Sequence, residues 1–125
     1  MEFERDRALS PYSVLFELLA FVRQAHRHDD DDALRRGYAF AFWCHLQRPA
    51  SDLPNAVAVA FYEHLFDEWG DRMDVVPWLS PRVRTEVWQL WERRLEADQA
   101  AELRTLLSTE HPERWREVQP LATMH

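Results

Sequence analysis

The chain of 125 residues contains no lysine, no isoleucine and one asparagine, Asn55. All fifteen of its basic residues are arginine. Lys, Ile and Asn have AT-rich codons, so this bias points to a GC-rich, bacterial genome and asks for no functional reading. Glycine is nearly absent, with two residues in the whole chain. Sheet proteins need Gly in tight turns and bulges, so its scarcity favours helices joined by short polar links. A single cysteine, Cys44, excludes an internal disulfide and suits a reducing compartment. No run reaches the ~20 apolar residues of a membrane span. The opening Met-Glu-Phe-Glu-Arg-Asp-Arg lacks the apolar core of a signal peptide, and a cytoplasmic location is expected. Positive charge is outweighed too: the net charge is −7. Nucleic acid and anionic membranes need a positive face, which makes both poor partners and a basic protein a better one.

What the chain does have is apolar bulk. It is 46% hydrophobic, with six Trp, seven Phe and three Tyr, enough to fill a real core. The expected fold is all-α: one domain over residues 1–125, a bundle of five or six helices, with 1–9 and 119–125 as loose ends. Ser10-Pro11 opens a helix that should end near Arg27, Ser being the N-cap and Pro the first helical residue. Leu34–Arg48 reads as the second helix, with Gly37 allowing a neighbour to approach. Ser51-Asp52-Leu53-Pro54 opens a third, expected to run unbroken through Ala56–Trp69 to a stop at Gly70. Its first half is apolar all round, and Phe61 and Leu65 fall on its buried line. A connector, Asp71–Leu79, leads to Ser80-Pro81, a second Ser-Pro start. Residues 81–107 form either one bent helix or two, with Asp98 capping Gln99–Leu107. Glu113–Val118 closes the chain as a short helix.

Motifs that name a reaction are missing. The helices hold no Glu-x-x-His pair, no His-Glu-x-x-His, no phosphate-binding Gly loop and no Gly-x-Ser-x-Gly. No catalytic residue, metal or cofactor is expected. His26 and His28 beside Asp29–Asp32 imitate a metal site, but two residues apart on a helix they diverge. The four aspartates read as a cap and first-turn cluster for the next helix. The best constellation for chemistry is Glu63 and His64 with His45 and Cys44, a small-ligand or enzymatic alternative. Cys44 sits in the most apolar stretch and reads as an inert core thiol.

Charge is unevenly spread. Residues 29–32 and residues 63–74 each carry a net −4. In the second stretch Glu63, Asp67, Glu68, Asp71 and Asp74 face Arg72 alone, with Trp69 and Trp78 beside them. Acid that steers a basic partner and aromatics that anchor it make a binding rim, so these seven residues, Arg72 aside, are the candidate partner-binding site. A homodimer burying surplus Trp and Phe at a two-fold interface is a further alternative.

Asn55-x-Val57-x-Val59-x-Phe61-x-Glu63-x-Leu65, a short acidic connector, and Trp78-Leu-Ser-Pro81 opening a helix carry a resemblance. This pattern resembles a small uncharacterised bacterial helical family whose members show a Val-x-Phe-x-Glu-x-Leu helix followed by a Leu-Gly-Pro-like start. Ser80 stands where that pattern has Gly, and Ala60 precedes the Phe. The resemblance covers about a third of the chain. It implies an immunity-type protein of bacterial toxin systems, without catalytic residues.

Overall fold

The computed structural model describes residues 10–122. Among them there are no strands, and seven α-helices account for most of the chain, two more than the lower expected count and one more than the upper. In chain order these are α1 (Pro11–Arg27), α2 (Asp31–His45), α3 (Leu53–Ala60), α4 (Arg72–Val75), α5 (Pro81–Arg94), α6 (Ala97–Ser108) and α7 (Trp115–Ala122). Short 3-10 turns at Tyr62–His64, Trp69–Asp71 and Val76–Trp78 carry the chain between α3 and α5. The extra helices are α4, a single turn inside the expected connector, and the separation of α5 from α6.

Local chemistry sets the strongest boundaries. The Ser10 and Ser80 hydroxyls accept from the Ser13 and Val83 N–H groups at 3.2 and 3.3 Å, and proline follows each cap. These bonds satisfy N–H groups that the first helical turn leaves without partners. Asp30 does the same for α2, accepting from Ala33 N at 3.1 Å, so the helix starts three residues before Leu34. Residues 81–107 are two helices, because Leu95 turns extended (φ −91°, ψ 152°). The cap of α6 is Glu96, whose N–H donates to the Gln99 side chain at 3.2 Å, and not Asp98. At the other end α7 continues through Pro120 to Ala122.

The expected unbroken helix from Ala56 to Trp69 does not form. It stops at Ala60, and Phe61 leaves helical geometry at φ −121°, ψ −70°. Two of the carbonyls beyond, which the turn's own N–H groups also reach, accept from side chains of other helices. Trp91 Nε1 donates to Tyr62 O at 2.6 Å and Arg23 Nη2 donates to His64 O at 2.9 Å. The residues keep their burial although the helix ends: Phe61, Tyr62, Leu65 and Phe66 are all in the core.

That core is one hydrophobic cluster. It joins α1, α2 and α3, the 61–66 turn, Val75–Leu79, α5, and Leu103 and Val118 of the last two helices. α1, α2 and α3 pack mutually, and α7 lies on α2. Gly37 lets α1 and α2 close up: a Cβ there would stand 2.6 Å from Val22 Cγ2.

Candidate functional site

The chain leaves α1 through Asp29, which has a positive φ of 51°, a conformation that Asp adopts more readily than most residues. This bend divides the four aspartates by task. Asp30 caps α2, and Asp32 bonds Arg36 at 3.0 Å. Asp29 and Asp31 instead line a pocket of about 250 Å³. Asp74 and Met73 enter it from α4, Pro77 and Trp78 from the turn that follows, and Pro112 and Arg114 from the segment before α7. The two acidic stretches of the sequence, some forty residues apart, therefore meet at one place.

The wall of this pocket is a stack. Trp78 is 4% exposed and lies on Tyr38 with centroids 5.3 Å apart and the rings 5° from parallel. The Arg114 guanidinium covers Trp78 at 4.4 Å and pairs with Asp31 at 3.3 Å. An aromatic face with an adjacent carboxylate is a favourable seat for a guanidinium. His26, also buried, shares a 2.8 Å hydrogen bond between Nε2 and the Tyr38 hydroxyl. Burial lowers the His26 pKa against the opposing pull of Asp74, Asp71 and Asp29, and burial likewise raises the Tyr38 hydroxyl well above its ordinary value. With its histidine held toward the neutral form, the pocket keeps the negative balance of its carboxylates.

The other residues of the expected rim have different surroundings. Arg94 clamps Asp67 through Nε and Nη2 at 3.1 and 2.8 Å and reaches Glu63 at 3.4 Å. His64 Nδ1 bonds Asp67 at 2.9 Å. Partial burial pushes the Asp67 carboxyl up, but the Arg94 and His64 hydrogen bonds outweigh it and hold it below the usual range. Arg94 thus offsets one of the two charges that Glu63 and Asp67 carry. Glu68 is exposed and 4.0 Å from Arg27. Trp69 is half-buried beneath Arg72, whose Nε also bonds Glu102. Asp71 is half-buried and Asp74 exposed. Trp78 stands inside the pocket wall and not free on a rim.

The residues of the catalytic alternative have separate partners. His45 Nε2 meets Glu86 of α5 at 2.6 Å, whereas His64 holds Asp67. Burial pushes the Cys44 thiol up to about 11, which leaves little thiolate at neutral pH. His28 bonds Gln24, and among the described residues no three His, Cys, Asp or Glu side chains form a metal-ligand group. Sequence reasoning missed Arg114 and the place of Asp29 and Asp31 in the pocket. The two acid runs were the only signal, and nothing local relates them to an arginine forty positions beyond the second run.

The fold and pocket define a small all-helical protein with an acidic, aromatic-walled recess. The chain belongs to the family described as Domain of unknown function (DUF7674), which matches residues 1–100. That match ends inside α6, so α7 and Arg114 lie beyond it. Comparison with curated proteins and with solved structures gave no match.

Proposed function

We propose that the protein is a non-enzymatic interaction module of the cytoplasm, of immunity or inhibitor type, and that it captures a basic protein through the face around the Asp29–Asp31–Asp74 pocket. The observation that carries this reading is the seat itself. Carboxylates from two distant stretches converge beside an aromatic wall on which an arginine already rests. Asp29 and Asp74 have no ion-pair partner among the described residues, so their charge is directed at solvent. Glu68 and Asp71 extend the negative field along the same connector, and Trp69 borders it. Glu63 and Asp67 contribute less to steering because Arg94 offsets them. Exposed charge of this kind raises the association rate of an oppositely charged partner and is screened within ~10 Å at ~0.1 M salt.

The test uses Asp29→Asn with Asp74→Arg. Asn is chosen at position 29 because it tolerates the positive φ. Wild type and variant serve as baits in extract of the source organism, and recovered proteins are identified by mass spectrometry. A basic protein retained by wild type at low salt, associating roughly tenfold more slowly with the variant, is the expected result. Equal capture by both baits, or a recovered partner of acidic character, refutes the reading.

One observation favours a second reading, the homodimer. Phe21 and Phe40 are 43% and 40% exposed. Phe21 packs over Gly37, and Phe40 lies three residues on along α2, stacked on Trp43. A concentration-independent monomer mass in light scattering eliminates it.

A further inference from the structure

We propose that the cleft between α5 and α6 binds a small carboxylate carried on a flat apolar body, that is, an aromatic acid. This cleft is separate from the acidic pocket and does not depend on its role. It measures about 510 Å³, within the range of small-ligand sites, and Arg84, Thr85, Trp88, Arg104, Leu107 and Ser108 line it. No acidic residue is among its walls, although the whole chain is strongly acidic.

Arg84 is the first reason. Its guanidinium donates to three main-chain carbonyls: Leu79 O at 2.7 Å, Leu107 O at 2.8 Å and Val76 O at 3.0 Å. A guanidinium has five N–H groups, so two remain. The three acceptors are neutral, and among the described residues no carboxylate pairs with this arginine. Glu113 acts on it only from a distance and is itself held by Arg116 at 2.6 Å. A half-buried cation normally has an anionic partner, because taking it from water is costly. Here the protein supplies a fixed, desolvated positive charge at the cleft wall and no anion for it.

The second reason lies one turn along the same helix. Trp88 presents its ring under the Arg104 guanidinium at 4.4 Å, and its indole N–H is buried with no acceptor. Leu107 continues the apolar surface. Arg104 is otherwise loosely held, its side chain 64% exposed and 3.5 Å from Glu92. A flat ring lying along Trp88 and Leu107 would put its carboxylate among the donors of Arg84, Arg104 and Thr85, the Ser108 hydroxyl being already given to Arg104 O at 2.9 Å. A fork of guanidinium N–H groups matches the two oxygens of a carboxylate. A neutral or cationic ring would gain the stacking and lose the charge pairing.

Titration of the full-length, nitrogen-15-labelled protein with benzoate, benzamide and benzylammonium tests the proposal. The Trp88 indole N–H cross-peak, assigned with Trp88→Phe, and the Thr85 and Ser108 amides are followed. Benzoate is expected to shift them saturably, while the neutral and cationic rings do not. Arg104→Gln changes an exposed side chain, keeps the fold, and should weaken benzoate by roughly tenfold. Arg84 anchors three carbonyls, so its removal risks the fold and it is left in place. Benzamide shifting the same signals equally, or Arg104→Gln binding benzoate as wild type does, overturns the proposal.

Discussion

Phe61 shows how one residue can keep its place while its element changes. Its side chain is fully buried and meets Tyr38 and Tyr62 edge-on at 5.9 and 5.1 Å. Phe61→Ala should cost ~3–5 kcal/mol in a denaturant titration, since it removes a large side chain and leaves a cavity. A loss below ~1 kcal/mol would place the ring outside the core. Gly37 carries the opposite risk, overpacking. Alanine there gains about 1 kcal/mol of helix propensity. Its Cβ, however, meets Val22 Cγ2 at 2.6 Å, and Val22 is fully buried and stiff at its branched carbon. The clash should win, with Gly37→Ala destabilising by about 1 kcal/mol or more. In a Val22→Ala background the same change should turn neutral or stabilising, and a thermodynamic cycle over the four proteins measures this. The burial of Phe61 was legible in the sequence, because it falls on the apolar line of a stretch that is apolar all round.

At the scale of elements, what was legible depended on range. The helices beginning at Pro11 and Pro81 are opened by side chains a few residues away, and short-range bonds of that kind can be read from neighbours; Asp30 opens α2 in the same way, but three residues before the expected Leu34. The break after Ala60 cannot be read from neighbours. It depends on Trp91, thirty residues onward, and Arg23, nearly forty residues earlier, taking carbonyls of the 62–64 turn. Trp91→Phe keeps most of the buried ring and deletes the donor. Tyr62 O keeps the Leu65 N–H at 3.2 Å, so losing the indole bond should cost about 0.5–1.5 kcal/mol, beyond the loss of ring volume. Hydrogen exchange should show the amides of 62–66 losing protection before those of α1. If 62–66 and α1 respond alike, Trp91 does not specifically hold the turn.

At the scale of the whole molecule, protonation should unsettle the fold in two steps. His26 has a folded pKa below its ordinary 6.5 because it is buried. The unfolded chain therefore takes up that proton first, and stability falls as pH drops through 6.5 toward the folded value. The carboxyls of Asp67, Glu86 and Glu117 are also lowered. For Asp67 and Glu86 partial burial opposes the shift, and for each the bonds to histidine and arginine outweigh it; for Glu117 the Arg114 bond leads. Their contribution is complete above the ordinary carboxylate pKa values of 3.8 and 4.5 and disappears on acidification below them. Melting temperature recorded from neutral to strongly acid pH should show both slopes, and His26→Gln should remove the upper one alone. An unchanged upper slope in that variant would assign it to another group.

Composition and short-range pattern by themselves determined that this chain is helical, that Phe61 and Leu65 are buried, and where the helices behind Ser10 and Ser80 begin. These outcomes follow from glycine scarcity, apolar periodicity and side-chain caps, all of which act within a few residues. Tertiary structure alone decided which charges stay available. Arg94 offsets part of the charge of Glu63 and Asp67, whereas Asp29 and Asp74 are left facing a pocket that Arg114 reaches from the far end of the chain. It likewise decided that Trp78 is a wall and not a free anchor, since Tyr38 and Arg114 cover its two faces. Charge is a property of a residue, but the partner that offsets it is set by the packing of helices distant in sequence, because a contact of a few ångströms decides the energy of a charge.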